Sequence, residues 1–270
     1  MSTPSPVVNG HVHLLAVLVD VDDKEDGEYR FLVDGQHVKY VTVAPGVLPK
    51  DDRTFAPVLI PLLPPFPLGD WNEGHISQDA QAGRLVFSSV KKSLLPGVKN
   101  VWHPTLIDHL ELNKLDRLRQ NLQKVAHRSF DRPILAKFAE FPWQIPYLEA
   151  ETTAYKWIDG TGIGPKFLGH VTEEGRVIGF LMEYIEDAQT ATPADLGACQ
   201  RALSRLYALG IKHGDINKYN FVVRGGGEVV LLDFEAAERN KTREELDLEY
   251  SRLDDELKDL SGRGGVEVWQ

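Results

Sequence analysis

The chain has 270 residues, 42% hydrophobic and 26% charged, enough to bury one large core or two small ones in a soluble globular protein. A net charge of -10 offers no basic stripe for a phosphate backbone and argues against a nucleic-acid partner. The lone cysteine, Cys199, excludes an internal disulfide or a two-cysteine metal site; with no leader-like start and no apolar run of spanning length, the expectation is a cytoplasmic protein with no membrane association.

Residues 1–100 read as a β-rich domain. Stretches 11–22, 29–33 and 38–43 are rich in β-branched and aromatic residues, and Asp26-Gly27 and Asp34-Gly35 between them are hairpin signals. Five prolines from Pro57 to Pro67 predict an extended strap rather than a helix or a central strand. Residues 83–90 give another short strand, and Pro96-Gly97 marks the change of pattern.

Residues 101–270 alternate strands and helices. Residues 122–127 and 134–138 form a hairpin whose second strand carries Lys137, and 145–158 read as a helix. Residues 165–170 and 177–185 form a second hairpin turning at Glu174-Gly175. Thr192, Pro193 and Asp195 open a helix that buries Leu196, Leu203 and Leu206 and stops at Gly210. Residues 221–223 and 229–232 pair around Gly225-Gly226-Gly227. Thr242 with Glu245 is a capping box for a last helix bearing Leu246, Tyr250, Leu253, Leu257 and Leu260 at helical spacing.

The chemistry concentrates in His213-Gly214-Asp215-Ile216-Asn217-Lys218-Tyr219-Asn220, followed after one hairpin by Leu231-Leu232-Asp233-Phe234-Glu235. A carboxylate for an acceptor hydroxyl, plus an amide and a second carboxylate as oxygen ligands for a divalent cation, is what phosphoryl transfer from a magnesium nucleotide requires.

The order of a lysine strand, a helix with an inward glutamate, a hairpin, a long helix and this loop resembles the protein-kinase-like superfamily. It is most similar to the aminoglycoside and choline phosphotransferase branch and to kinase-like proteins of fungi. The resemblance implies an α+β, two-lobed protein-kinase-like fold with a truncated C-terminal lobe: an N-lobe over 101–185, a C-lobe over 186–270, and the β-rich domain ahead of them.

It also implies ATP and Mg2+ as cofactors and assigns roles by position. Asp215 is the catalytic carboxylate, and Asn220 and Asp233 are the metal ligands. Lys137 contacts the nucleotide phosphates, and the backbone of Glu183 and Ile185 meets the adenine. Lys137 needs a carboxylate to hold its stem. Of Glu149 and Glu151, Glu151 shares a helix face with Tyr155 and Ile158, which selects it.

Several features are set aside or depart from the family. Gly160-Thr161-Gly162-Ile163-Gly164 follows a helix, so it is a turn and not a phosphate cradle. His11 and His13 lack a third ligand, and residues 20–26 lack calcium-loop spacing and read as a solvated turn. No glycine lies between Gly97 and Gly160, so residues 121–123 would have to cover the phosphates; Glu235 stands where protein kinases carry glycine, a glutamate that choline-type kinases accept. Asp247, Glu249, Asp254 and Asp255 read as the solvated face of the last helix.

Nothing like an activation loop follows Asp233, which favours a small-molecule hydroxyl as phosphate acceptor over a protein. The alternatives are a pseudokinase-like interaction module with or without nucleotide, a compact atypical protein kinase, or a kinase-fold enzyme with adenylyl-transfer or carboxylate-activating chemistry. A protein partner or homo-oligomer would be held through the N-terminal β region.

Overall fold

Tyr29, Phe31 and Val33 alternate along one strand and are all buried, so this stretch builds a core on one face of a sheet. The structure, a computed structural model, describes residues 9–265, and its architecture is mixed α+β. The chain divides into two compact units, Met1–Pro96 and Gly97–Gln270.

In the first unit β1 (Val12–Leu18), β2 (Gly27–Val33) and β3 (His37–Val43) form an antiparallel meander. A short helix, α1 (Ala56–Leu62), precedes β4 (Glu73–Gln78), which runs parallel to β3, and β5 (Leu85–Lys91) completes the order β1-β2-β3-β4-β5. Asp34 and Gly35 sit at φ 54° and 70°, the positive pair that a tight reversal of twisted strands requires. Asp26-Gly27 is no such turn: Leu18 pairs with Glu28 across the loop 19–26, and Gly27 already belongs to β2.

The proline-rich segment is also corrected, because it contains α1 instead of a wholly extended strap. Pro57 falls in the first turn, where a missing N–H costs nothing, and Pro61 falls in the last. Burial of Leu59 fixes the helix against the sheet core. The acidic stretch 20–26 is likewise more than a solvated turn. The buried Arg53 donates to Asp23 Oδ1 at 2.7 Å and to the Asp20 carbonyl at 2.6 Å, tying the loop down.

The second unit carries a six-stranded sheet. β6 (Leu106–Asp108), β7 (Asn113–Arg119), β8 (Leu122–Ala126) and β9 (Ile134–Phe138) come first. Helix α2 (Ile145–Ile158) follows, then β10 (Phe167–Glu173) and β11 (Arg176–Glu183). The order is β6-β10-β11-β9-β8-β7, antiparallel except for β6 beside β10.

The rest of the unit begins with β12 (Gln189–Thr190), α3 (Leu196–Tyr207), β13 (Ile211–Lys212) and β14 (Phe221–Val223). β15 (Val229–Leu231), β16 (Glu238–Arg239) and α4 (Arg243–Lys258) end it. Strands β12-β14-β15 form one small sheet and β13-β16 another.

Local signals explain the helix starts. The Thr192 N–H and hydroxyl both donate to Asp195 Oδ2 at 2.8 Å, ahead of one 3-10 turn leading into α3, and Thr242 with Glu245 closes a capping box on α4. Leu260 is not part of α4; it lies beyond the helix end and is fully solvent-facing. An aromatic cluster joins the elements: Tyr155 of α2 packs on Phe180 of β11 at 5.2 Å and on Phe234 at 5.4 Å between ring centroids. Among the described residues no helix is long and apolar enough to cross a membrane.

Candidate active site

Glu151 falls three residues after Leu148 and four before Tyr155, on the buried stripe of α2, so a carboxylate is carried into the interior. Lys137 arrives from the middle of β9, and its Nζ lies 2.6 Å from Glu151 Oε2 and 2.9 Å from Asp233 Oδ1. Glu149 faces elsewhere, accepting the backbone N–H groups of Lys99 and Asn100.

Burial works against a charged Lys137, but the two carboxylates outweigh it and raise its pKa above the ordinary lysine value. Burial pushes Glu151 up to about 7 against the pull of Lys137. Asp233 is half-buried, which works against its charge, yet Lys137 dominates and holds its carboxyl below the usual range.

Asp233 occupies the left-handed region at φ 60°, ψ 70°, immediately before a 3-10 turn, Phe234–Ala236. Because aspartate tolerates that conformation better than most residues, the chain reverses there and turns Glu235 toward the same space. Glu151, Asp233 and Glu235 each offer a carboxylate oxygen within 4.8 Å of the others, a spacing that one cation could bridge. Burial, and then the neighbouring Asp233 and Asp215, raise the Glu235 pKa against the opposing pull of Lys137.

These groups line one cavity of about 270 Å³ together with Arg119, Asn121, Tyr219 and Asn220. Its apolar wall includes Leu135, Met182 and Leu232.

Asp215 stands one hydrogen bond behind that wall. Asn220 Nδ2 donates to the Asp215 carbonyl at 3.0 Å and to its Oδ2 at 3.2 Å, and Asn217 Nδ2 donates to Oδ2 at 2.9 Å. The amide of Asn220 is thereby oriented, with its N–H on Asp215 and its Oδ1 outside that pairing. Below the loop, the buried His213 meets the Leu232 carbonyl through Nε2 at 3.0 Å, tying the Asp215 segment to the strand end that carries Asp233.

Glu249 corrects the reading of the last helix as an acidic solvated face. It is buried and accepts from the His213 N–H at 3.0 Å, the Gly214 N–H at 2.7 Å and the Tyr207 hydroxyl at 2.8 Å. Its carboxylate thus anchors the backbone of the Asp215 loop to α4. The signal was in the spacing: Glu249 lies three residues after Leu246 and four before Leu253, both buried.

Two further expectations change. The turn above the cavity is Gln120-Asn121, between β7 and β8, whereas Leu122 and Gln123 belong to β8 and Gln123 is buried; the side chain delivered to the cavity by the end of β7 is Arg119. Glu183 and Ile185 do not line this cavity. The Glu183 N–H is taken by the Lys166 carbonyl at 2.9 Å, and its carboxylate accepts from the Lys166 N–H and from Arg224. Glu183 lines a separate cavity with the turn 160–164.

No protein-family model matches the chain, and a search of curated proteins finds no match.

Proposed function

We propose that the second unit is a kinase-like phosphotransferase that moves the terminal phosphate of Mg-ATP to the hydroxyl of a small molecule. The observation that carries this reading is the convergence of Lys137, Glu151, Asn220 and Asp233 on one cavity, with Asp215 one hydrogen bond behind Asn220. These residues come from β9, α2 and two separate loops, so their meeting is a property of the fold and not of a local motif.

The donor set suits magnesium. Asp233, Glu235 and the Asn220 amide oxygen are hard oxygen donors at the cavity wall, and the bound cation would offset charge on the phosphates. Lys137 is held against rotation by Glu151 and presents its ammonium beside Asp233.

Asp215 has Oδ2 fixed by two amide donors, which leaves Oδ1 as the oxygen that would take an incoming hydroxyl. The acceptor oxygen attacks the terminal phosphorus in line, the bond to the bridging oxygen breaks, and ADP leaves with that electron pair. The hydroxyl proton passes to Asp215 late in the transfer, since an aspartate is a weak base. The short path after Asp233 favours a small acceptor: one 3-10 turn and a two-residue strand precede α4, and among the described residues no further helix stands between them on which a peptide could dock.

A second reading, a non-catalytic interaction module, is favoured by one observation: the Gln120-Asn121 turn above the cavity contains no glycine, so backbone N–H groups have less freedom to approach phosphates. A thermal-shift titration with ATP, with and without Mg2+, on the wild type and on Asp233→Ala tests both. Ligand binding to the folded state raises the melting temperature. A magnesium-dependent shift lost in Asp233→Ala supports the enzyme, and no shift at millimolar nucleotide rejects it.

A further inference from the structure

The turn that covers the cavity is pinned in place. Arg117 of β7 donates to the Gln120 carbonyl at 3.1 Å and to the buried Glu140 at 2.9 Å, and the Phe138 N–H donates to the Asn121 carbonyl at 3.1 Å. A loop fixed at both shoulders cannot fold down over a ligand as a glycine-rich one does. What it presents instead is a side chain, that of Arg119.

Two cationic side chains line the cavity, Lys137 and Arg119. Lys137 is committed to Glu151 and Asp233. Among the described residues the Arg119 guanidinium donates to a neutral group, the Gly264 carbonyl at 3.3 Å.

Gly264 belongs to a strap, residues 259–265, that runs from the end of α4 across the Asp215 loop. Lys218 Nζ donates to the Asp259 carbonyl at 2.5 Å, and Arg263 is paired with Glu256 of α4. Gly264 lies directly on Asn217, whose amide holds Asp215: a Cβ added at 264 would stand 2.5 Å from Asn217 Cγ, and φ there is +79°. Only glycine fits this seat. The strap therefore spans the gap between the Asp215 loop and the tip of β7, with Arg119 resting on it.

We propose that Arg119 is the residue that binds the nucleotide phosphates in place of a glycine loop, and that the C-terminal strap is where it parks when the cavity lacks nucleotide. A guanidinium bonded to one neutral carbonyl exchanges readily for a phosphate, because the phosphate brings an opposite charge and two oxygens that match the guanidinium fork, where the carbonyl offers a single neutral acceptor. Nucleotide entry then draws Arg119 inward, and the strap loses its tie to β7 while Gly264 stays on Asn217. The inference rests on the reading of this cavity as a nucleotide site.

The test is calorimetric titration of the full chain with Mg-ATP and, separately, with adenosine, on wild type, Arg119→Ala and Gly264→Val. Arg119 ends β7, a strand that is exposed along nearly its whole length, so its truncation leaves the core intact; circular dichroism checks this. The expected result is a Kd for Mg-ATP weakened roughly tenfold or more in Arg119→Ala, with adenosine unaffected. Gly264→Val, which unseats the strap and frees Arg119, is expected to bind Mg-ATP as tightly as wild type or more tightly.

Equal binding of Mg-ATP by wild type and Arg119→Ala overturns the inference and leaves the nucleotide site standing. Equal weakening of Mg-ATP and adenosine also overturns it, since that marks a structural role. Weakening of Mg-ATP by Gly264→Val overturns the parking role of the strap. Binding of neither ligand by wild type removes the nucleotide reading and this inference together.

Discussion

Lys137 and Asp233 stand 96 residues apart in the chain and 2.9 Å apart in space, with the buried Glu151 completing a triad around one ammonium. The triad costs desolvation, and Lys137 is its only positive member, so removing it strands two carboxylates. Lys137→Met is expected to destabilise the protein by about 3–5 kcal/mol. The double variant Lys137→Met with Glu151→Leu is expected to recover most of that loss, because no uncompensated charge remains on α2. Urea denaturation of the single and double variants measures it, and additive losses would refute the coupling.

Glu249 bears on function without lining the cavity. Truncation to alanine leaves the His213 and Gly214 N–H groups and the Tyr207 hydroxyl without their acceptor. The expected cost is about 2–4 kcal/mol of stability. Under the proposed function, kcat should also fall while the KM for ATP changes little, since Asp215 and not the nucleotide wall is displaced. Glu249→Gln, which keeps one acceptor oxygen, should recover part of both. Wild-type turnover in Glu249→Ala would rule out a positioning role.

Gly179 of β11 sits against the strand that carries Lys137. A Cβ there would lie 2.2 Å from the Lys137 carbonyl and 2.5 Å from Phe138 Cα, so Gly179→Ala must push β9 aside. A loss of about 1–3 kcal/mol is expected, along with a weaker nucleotide-dependent thermal shift. Gly225→Ala, at a turn with nothing within 4 Å, is the control and should change neither. Equal behaviour of the two variants would show that β9 yields at no cost.

How much of this was legible depends on whether the determinant is local. Helix α2, the β10–β11 hairpin and the start signals of α3 and α4 are written in short windows, and the choice of Glu151 over Glu149 needs only the helical period. Strand β7, with the sequence NKLDRLR, is exposed along nearly its whole length; it exists because its backbone pairs with β8, which no side-chain pattern displays. Glu249 was misread because charge outweighed its place on the buried stripe, and the donors that make its burial tolerable are backbone N–H groups of a distant loop. The strap over Asn217 was illegible for the same reason: Gly262, Gly264 and Gly265 look like a loose end until their contacts are seen.

A buried histidine away from the cavity sets an acid limit on the fold. His170 of β10 is fully enclosed, ringed by Trp102, His103 and Phe167, with its Nε2 facing the His103 N–H at 3.4 Å. Burial, and then the neighbouring His103, push its pKa from 6.5 down to about 4, with Glu149 opposing. Between those values the unfolded chain holds a proton that the folded chain excludes, so stability rises with pH across this window and is lost as pH falls through it. The loss from this one group is expected to approach roughly 3 kcal/mol between pH 7 and pH 4. His213, also buried and shifted down, adds a slope of the same sign. His170→Gln should therefore flatten the dependence without abolishing it. Urea midpoints at pH 7 and pH 5 for wild type and variant measure the difference, and an identical pH dependence in both would assign the acid sensitivity to other groups.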